Sequence, residues 1–279
     1  MSLASMIRTA CSASFVAATL VLTCSSPANA IVFSASGASP AAIQATVDSF
    51  RAALGANNGV GGSFPDGRRE INWDGVPNAF AAPNNLAANF FNVNSPRGVV
   101  FSTPGSGFQV SANAASGTPV RFGNLNAAYP AEHQTFSAER LFTALDSNTV
   151  QIDFFVPGTN VPASVAGFGA VFTDVEVAGA TKYTVFYGDG TNGGQFAIPV
   201  APGGGLSFLG LTEPNRYSRI IIQSGTALPG TSEGRGSLDV AFMDDFIYGE
   251  PTAIPEPTTA ALLAGALVTM AGVRRRAQG

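Results

Sequence analysis

The chain has 279 residues, 46% of them hydrophobic and 11% charged, a balance that excludes intrinsic disorder and permits one large buried core. All 18 acidic residues lie within 31–257, where only ten of the 14 basic residues fall, so that span carries a net charge of −8. A field of that sign repels phosphate backbones and anionic lipid, which argues against nucleic-acid binding.

The first predicted element is a secretory signal over residues 1–30. Arg8 supplies a positive start, Ala13 to Thr23 is an apolar stretch too short to span a bilayer, and Ala28-Asn29-Ala30 has the small-x-small cleavage pattern. Ala28 and Ala30 are the cleavage-site residues, and the mature chain is expected to begin at Ile31. The alternatives are a buried N-terminal helix or a lipoprotein signal ending at Cys24, although Thr23 is a poor residue before a lipidated cysteine. Cys11 and Cys24 both lie inside the signal, so the mature chain is expected to have no disulfide, thiolate metal site or cysteine nucleophile.

The body, 31–252, opens with one readable helix. Ser39 is its N-cap, Pro40 its first residue, Ile43, Val47, Phe50 and Leu54 recur at helical spacing, and Gly55 stops it. Two irregular stretches follow, Asn57 to Gly67 and Pro77 to Asn94. Beyond Arg97 come short β-type runs: Gly98–Ser102, Phe108–Ala112, Val150–Val156, Val165–Val177, Lys182–Tyr187, Gln195–Val200, Leu206–Leu211, Tyr217–Gln223 and Leu238–Tyr248. Phe136 to Leu145 reads as a short helix or turn. Many short strands without βαβ alternation predict an all-β body, an antiparallel β-sandwich of jelly-roll type with a short N-terminal helix.

Few residue groups in the body point to chemistry. Gly188-Asp189-Gly190-Thr191-Asn192-Gly193 fits the dinucleotide-binding pattern, but strands flank it where a helix is needed, so it reads as a hairpin turn. His133 is the sole histidine and no serine stands in a nucleophile elbow, which disfavours a Ser-His-Asp triad and a catalytic zinc. Asp153, Asp174, Glu176, Asp239, Asp244 and Asp245 lie in or beside strands and could supply the two acids of a glycosidase, yet aromatic platforms are scarce.

Asp244-Asp245 is the most informative pair. Strict alternation puts Val240, Phe242, Phe246 and Tyr248 on the face of Asp244, and Ala241, Met243 and Ile247 on that of Asp245. Both faces are apolar, so at least one carboxylate is expected to be buried and to need partners. Ca²⁺ is one solution, as in the sandwich carbohydrate-binding modules that this Asp-Asp strand resembles. The other is an arginine, Arg219 or Arg121, or backbone donors. Trp73 with Arg68, Arg69 and Asp74 offers either a sugar-stacking edge or, more commonly for a tryptophan, a plug in the core.

The tail, 253–279, carries three ordered parts: Pro255-Glu256-Pro257, an apolar run from Thr258 to Val273, and Arg274-Arg275-Arg276. The prolines keep the first part extended, the run would form a transmembrane helix just short of a full span, and the arginines hold its end in the cytoplasm. This order resembles the PEP-CTERM sorting tail. The stretches Arg68 to Asp74, Gly167 to Asp174 and Asp244 to Pro251 also resemble text in such precursors.

The resemblance implies transient inner-membrane insertion and cutting near Pro255, Glu256 and Pro257 by an exosortase-type enzyme, with Arg274, Arg275 and Arg276 as stop signal. It implies a final location at the cell surface or in the extracellular matrix of a Gram-negative bacterium, often one that makes exopolysaccharide. For the body, the leading expectation is a non-catalytic module that binds glycan or builds structure. A secreted polysaccharide hydrolase using paired carboxylates is the alternative.

Overall fold

The computed structural model describes residues 30–232 and 238–254. It contains twelve strands: β1 (Ile31–Gly37), β2 (Arg68–Ile71), β3 (Val99–Ser102), β4 (Gly107–Val110), β5 (Phe142–Leu145), β6 (Thr149–Phe154), β7 (Ala163–Thr173), β8 (Lys182–Tyr187), β9 (Asn192–Ala197), β10 (Leu206–Gln223), β11 (Phe242–Gly249) and β12 (Thr252–Ala253). One long helix, α1 (Pro40–Leu54), two single turns, α2 (Phe90–Val93) and α3 (Tyr129–Glu132), and two 3-10 turns, Asn78–Phe80 and Ala114–Ser116, complete the regular structure of the described residues. Strand makes up 39% and helix 13% of the described residues, and every ladder between these strands is antiparallel, so the body is a mostly antiparallel β fold.

All twelve strands belong to one large, nearly closed sheet, and β10 organises it. Its first half, Leu206 to Thr212, pairs with β1 on one side and β7 on the other. Its second half pairs with β6 and β8. The sequence predicts two strands here because Pro214 interrupts the run. The 18 residues instead form one strand, since Pro214 falls between the two ladders, where no amide donor is required. β3 and β9 extend the second half through β6 and β8. β11 extends the first half through β7 and carries β2 and β5, with β4 beyond β5.

Residues of both halves meet in the main core: Ile152 and Phe154 from β6, Tyr183 and Val185 from β8, Phe168 and Phe172 from β7, Phe246 and Tyr248 from β11. Helix α1 covers the opposite face of the first half. Its buried residues are Ile43, Val47, Phe50 and Leu54, as the spacing predicts, and they pack on Val171, Leu206, Phe208 and Ile247. Ser39 precedes the helix with extended backbone but makes no side-chain cap hydrogen bond, and Pro40 takes the first helical position. Phe50 rests on paired Gly169 and Gly210, where an added Cβ would come within 2.8 and 2.7 Å of its ring.

Several boundaries differ from the sequence expectations. β7 ends at Thr173, not Val177, because Asp174 turns the chain with φ 62°. Leu238 to Ala241 precede β11 without joining its ladder. Phe136 to Leu145 forms a loop and β5, not a helix, and β1 and β2 are additional strands. The glycine-rich 188–193 segment closes the β8–β9 hairpin, with Gly190 N–H donating to Tyr187 O and Tyr187 N–H to Thr191 O.

Among the described residues no helix is long and apolar enough to cross a membrane. The tail residues Pro255, Glu256, Pro257, Arg274, Arg275 and Arg276, the apolar run between them, and Ala28 all lie outside the described residues, while Ala30 is the first of them.

Candidate functional site

The Asp-Asp pair sits in a β-bulge. Met243 opposes Phe172 and Phe246 opposes Ala170, so Asp244 and Asp245 together face the single residue Val171. The extra residue resets the alternation. Ala241, Met243, Phe246 and Tyr248 therefore share the main core, while Ile247 joins the α1 side and Phe242 a third cluster with Tyr129 and Leu141. This corrects the strict alternation expected from sequence, which placed Phe246 with Phe242.

The bulge brings the two carboxyl groups together. Ser137 Oγ donates to Asp245 Oδ1 at 2.7 Å and lies 3.3 Å from Asp244 Oδ1, and Phe136 N–H donates to Asp244 Oδ2 at 2.6 Å. Arg51, from the last turn of α1, donates through Nη2 to Asp245 Oδ2 at 3.1 Å and to Glu70 Oε2 at 3.0 Å. Arg68 Nε donates to Glu70 Oε1 at 2.6 Å. Burial, reinforced by the neighbouring Asp245, pushes the Asp244 carboxyl well above the ordinary carboxylate range. Burial also raises Asp245, against the opposing pull of Ser137 and Arg51.

The expected arginine partner therefore exists, but it is Arg51, not Arg219 or Arg121. Arg219 pairs instead with Asp153, at 2.7 Å. A guanidinium, an amide and a hydroxyl engage the pair, and Ca²⁺ would have to displace Arg51, so the donor set does not fit that ion. Among the described residues no group of three or more histidine, cysteine or acidic side chains could hold a metal ion.

The second candidate cluster divides. Trp73 is 1% exposed and its ring stacks on Phe142 at 4.1 Å and 4°, with Nε1 donating to Asp244 O at 2.9 Å. It plugs the core and offers no face to a sugar. Arg69 is also buried, held in a two-point ion pair with Glu250 at 2.6 and 2.7 Å and donating to the carbonyls of Gly59, Gly61 and Gly62. Arg68, bound to Glu70, reaches the polar side of the Asp-Asp region.

What remains is an open depression of about 410 Å³ above the bulge, lined by Gln44, Arg51, Asn57, Glu70, Phe136 and Asp245 among others. Its volume falls in the roughly 300–1,000 Å³ range of small-molecule sites. No protein-family model matches this chain, and no curated protein matches it. The site's chemistry must therefore be read from its own side chains. They offer amides, a hydroxyl, the guanidiniums of Arg51 and Arg97, and carboxylate edges around one half-buried ring, Phe136.

Arg51, Glu70, Ser137 and Phe136 were not legible as site residues. The only signal was the placement of Arg51 in the final turn of a predicted helix. His133 lies outside the depression. It is buried, with Nε2 2.9 Å from Val240 O and Nδ1 3.3 Å from Tyr129 O, so it is tied to backbone and not poised beside a serine.

Proposed function

We propose that the protein is exported through its N-terminal signal, processed at its C-terminal sorting tail, and retained at the cell surface or in the extracellular matrix. Its body, a sandwich-like β module with the wrapped order of a jelly roll, binds glycan without cleaving it. One observation carries the binding reading: an open, polar depression above the Asp244–Asp245 bulge presents Gln44, Asn57, Glu70 and Asp245 around Phe136. Alternating donors and acceptors beside a partly exposed ring suit a polyhydroxylated ligand, because each sugar hydroxyl both donates and accepts.

The hydrolase alternative draws on a specific contact. Glu70 Oε2 and Asp245 Oδ2 share Arg51 Nη2, which places them within about 6 Å of one another, a spacing close to that of retaining glycosidase carboxylates. Both acids are spent on that guanidinium, however, and neither is set to deliver a proton.

A glycan array on the purified protein tests the binding reading, with Glu70→Gln expected to weaken every hit. Release of reducing ends from any bound polysaccharide would favour the hydrolase. The sorting reading is tested by mass spectrometry of the mature protein, which should lack peptides from 262–273, and by Glu256→Ala, which should leave the precursor in the inner membrane. Recovery of those peptides from mature protein would make the tail a permanent anchor.

A further inference from the structure

Among the described residues Arg97 is a cation without a counter-charge. Its Nη1 donates to Ser95 Oγ, its guanidinium lies 5.6 Å from the centre of the Phe91 ring, and its backbone carbonyl accepts from Tyr248. Among the described residues Nε is buried without an acceptor, and no carboxylate pairs with the side chain. The charged and titratable neighbours that act on it are Arg69 and Tyr248, and burial lowers its pKa. Nε is enclosed by the protein itself, so a ligand meets the guanidinium elsewhere, and a cation that lines a cavity without a counter-charge favours a ligand that brings one.

The position of Arg97 is as informative as its lack of partners. It lines the polar depression of about 410 Å³ and also an adjoining cleft of about 200 Å³ walled by Val76, Pro77, Phe90 and Phe91, with Asn72 common to both. The carboxylates of the depression are already answered, Glu70 by Arg51 and Arg68, and Asp245 by Arg51.

We propose that the ligand of this site is an acidic saccharide whose carboxylate pairs with the Arg97 guanidinium. This rests on the glycan-binding reading and narrows it to uronate-bearing chains. A planar guanidinium edge matches the two oxygens of a carboxylate. Gln44 Nε2 donates to Asp48 and Asn57 Oδ1 accepts from Gly59 N–H, so the Gln44 oxygen, the Asn57 nitrogen and the Asn72 amide are left for ring hydroxyls.

Titration calorimetry with the purified protein tests the assignment, using oligogalacturonate, its methyl ester and a neutral cello-oligosaccharide as probes. The wild type should bind the acid at least ten-fold more tightly than the ester, with an affinity that falls as salt rises. Arg97→Gln should abolish that preference, and Arg97→Lys should restore part of it. Equal affinity for acid and ester, or a preference unchanged in Arg97→Gln, overturns the carboxylate assignment and leaves glycan binding standing. Failure of all three saccharides to bind removes the glycan reading and this inference together. Should Arg97→Gln not fold, the acid and ester comparison on the wild type decides alone.

Discussion

Trp73 does at the scale of one side chain what several aliphatic residues would otherwise do. Its indole stacks on Phe142, meets Phe91 and Phe246 edge-on, and closes the hydrogen-bonding need of the bulge carbonyl at Asp244. Trp73→Ala should therefore cost about 3–5 kcal/mol, read as a lower denaturant midpoint with an unchanged slope. Asp244 gives a prediction of different kind. A carboxyl whose pKa rises on folding binds its proton more tightly in the native state. Its contribution to stability is full below the ordinary value of 3.8 and is lost as pH rises through the native value. Asp74 and Asp239, raised chiefly by burial, slope the same way. In Asp244→Asn the amide oxygen still accepts from Phe136 and the amide nitrogen takes the place of the shared proton. The wild type should lose more melting temperature than this variant between about pH 4 and pH 8 in thermal scans. Equal slopes would mean that Asp244 does not hold its proton in the folded state.

At the scale of elements, the seat of α1 on the sheet is set by absent side chains. Gly169 and Gly210 face each other across β7 and β10 and leave a recess for Phe50, whose ring is wedged edge-on between Phe33 and Phe208. Gly210→Ala puts a methyl within 2.7 Å of that ring and should destabilise by about 1–3 kcal/mol, with hydrogen-exchange protection falling first in α1. An unchanged stability would show that the helix can ride outward freely. The helix itself was legible in the sequence because its four buried residues recur at one spacing and Pro40 and Gly55 mark its ends. Strand β2 was not, because Arg-Arg-Glu-Ile looks like surface until Glu250, 181 positions later, meets Arg69. β5 buries Phe142, Thr143 and Ala144 in succession, so no alternation registers. The same distance effect hid most of the site. Adjacent acids in an apolar strand announced a buried pair, but Arg51 is 194 positions away and Glu70 and Ser137 sit on segments without a periodic signature. The bulge was invisible too, since two aspartates in succession do not show which of them is the extra residue.

Over the whole molecule, β10 is shared by both halves of the sheet, so neither half has a complete set of neighbours without the other. The same pairing fixes where the body begins and ends. Ile31 lies opposite Thr212, Thr212 opposite Gly167, and four residues earlier on that same β7 strand Ala163 lies opposite Ala253. Three strand spacings of about 4.8 Å and four residues of about 3.3 Å separate the two ends, roughly 20 Å in all. A linker of about eight residues, reaching about 27 Å when extended, can join them. The chain should then tolerate being closed into a ring and reopened at the exposed Asp189-Gly190 turn, with a melting temperature within about 8 °C of the parent. A permutant that cannot fold would show that β1 has to pair before β12 arrives. Both ends thus leave from one side of the body, so a leash attached to either end holds it in the same attitude. The turn at 201–205 and the start of β11 then point away from whatever does the holding.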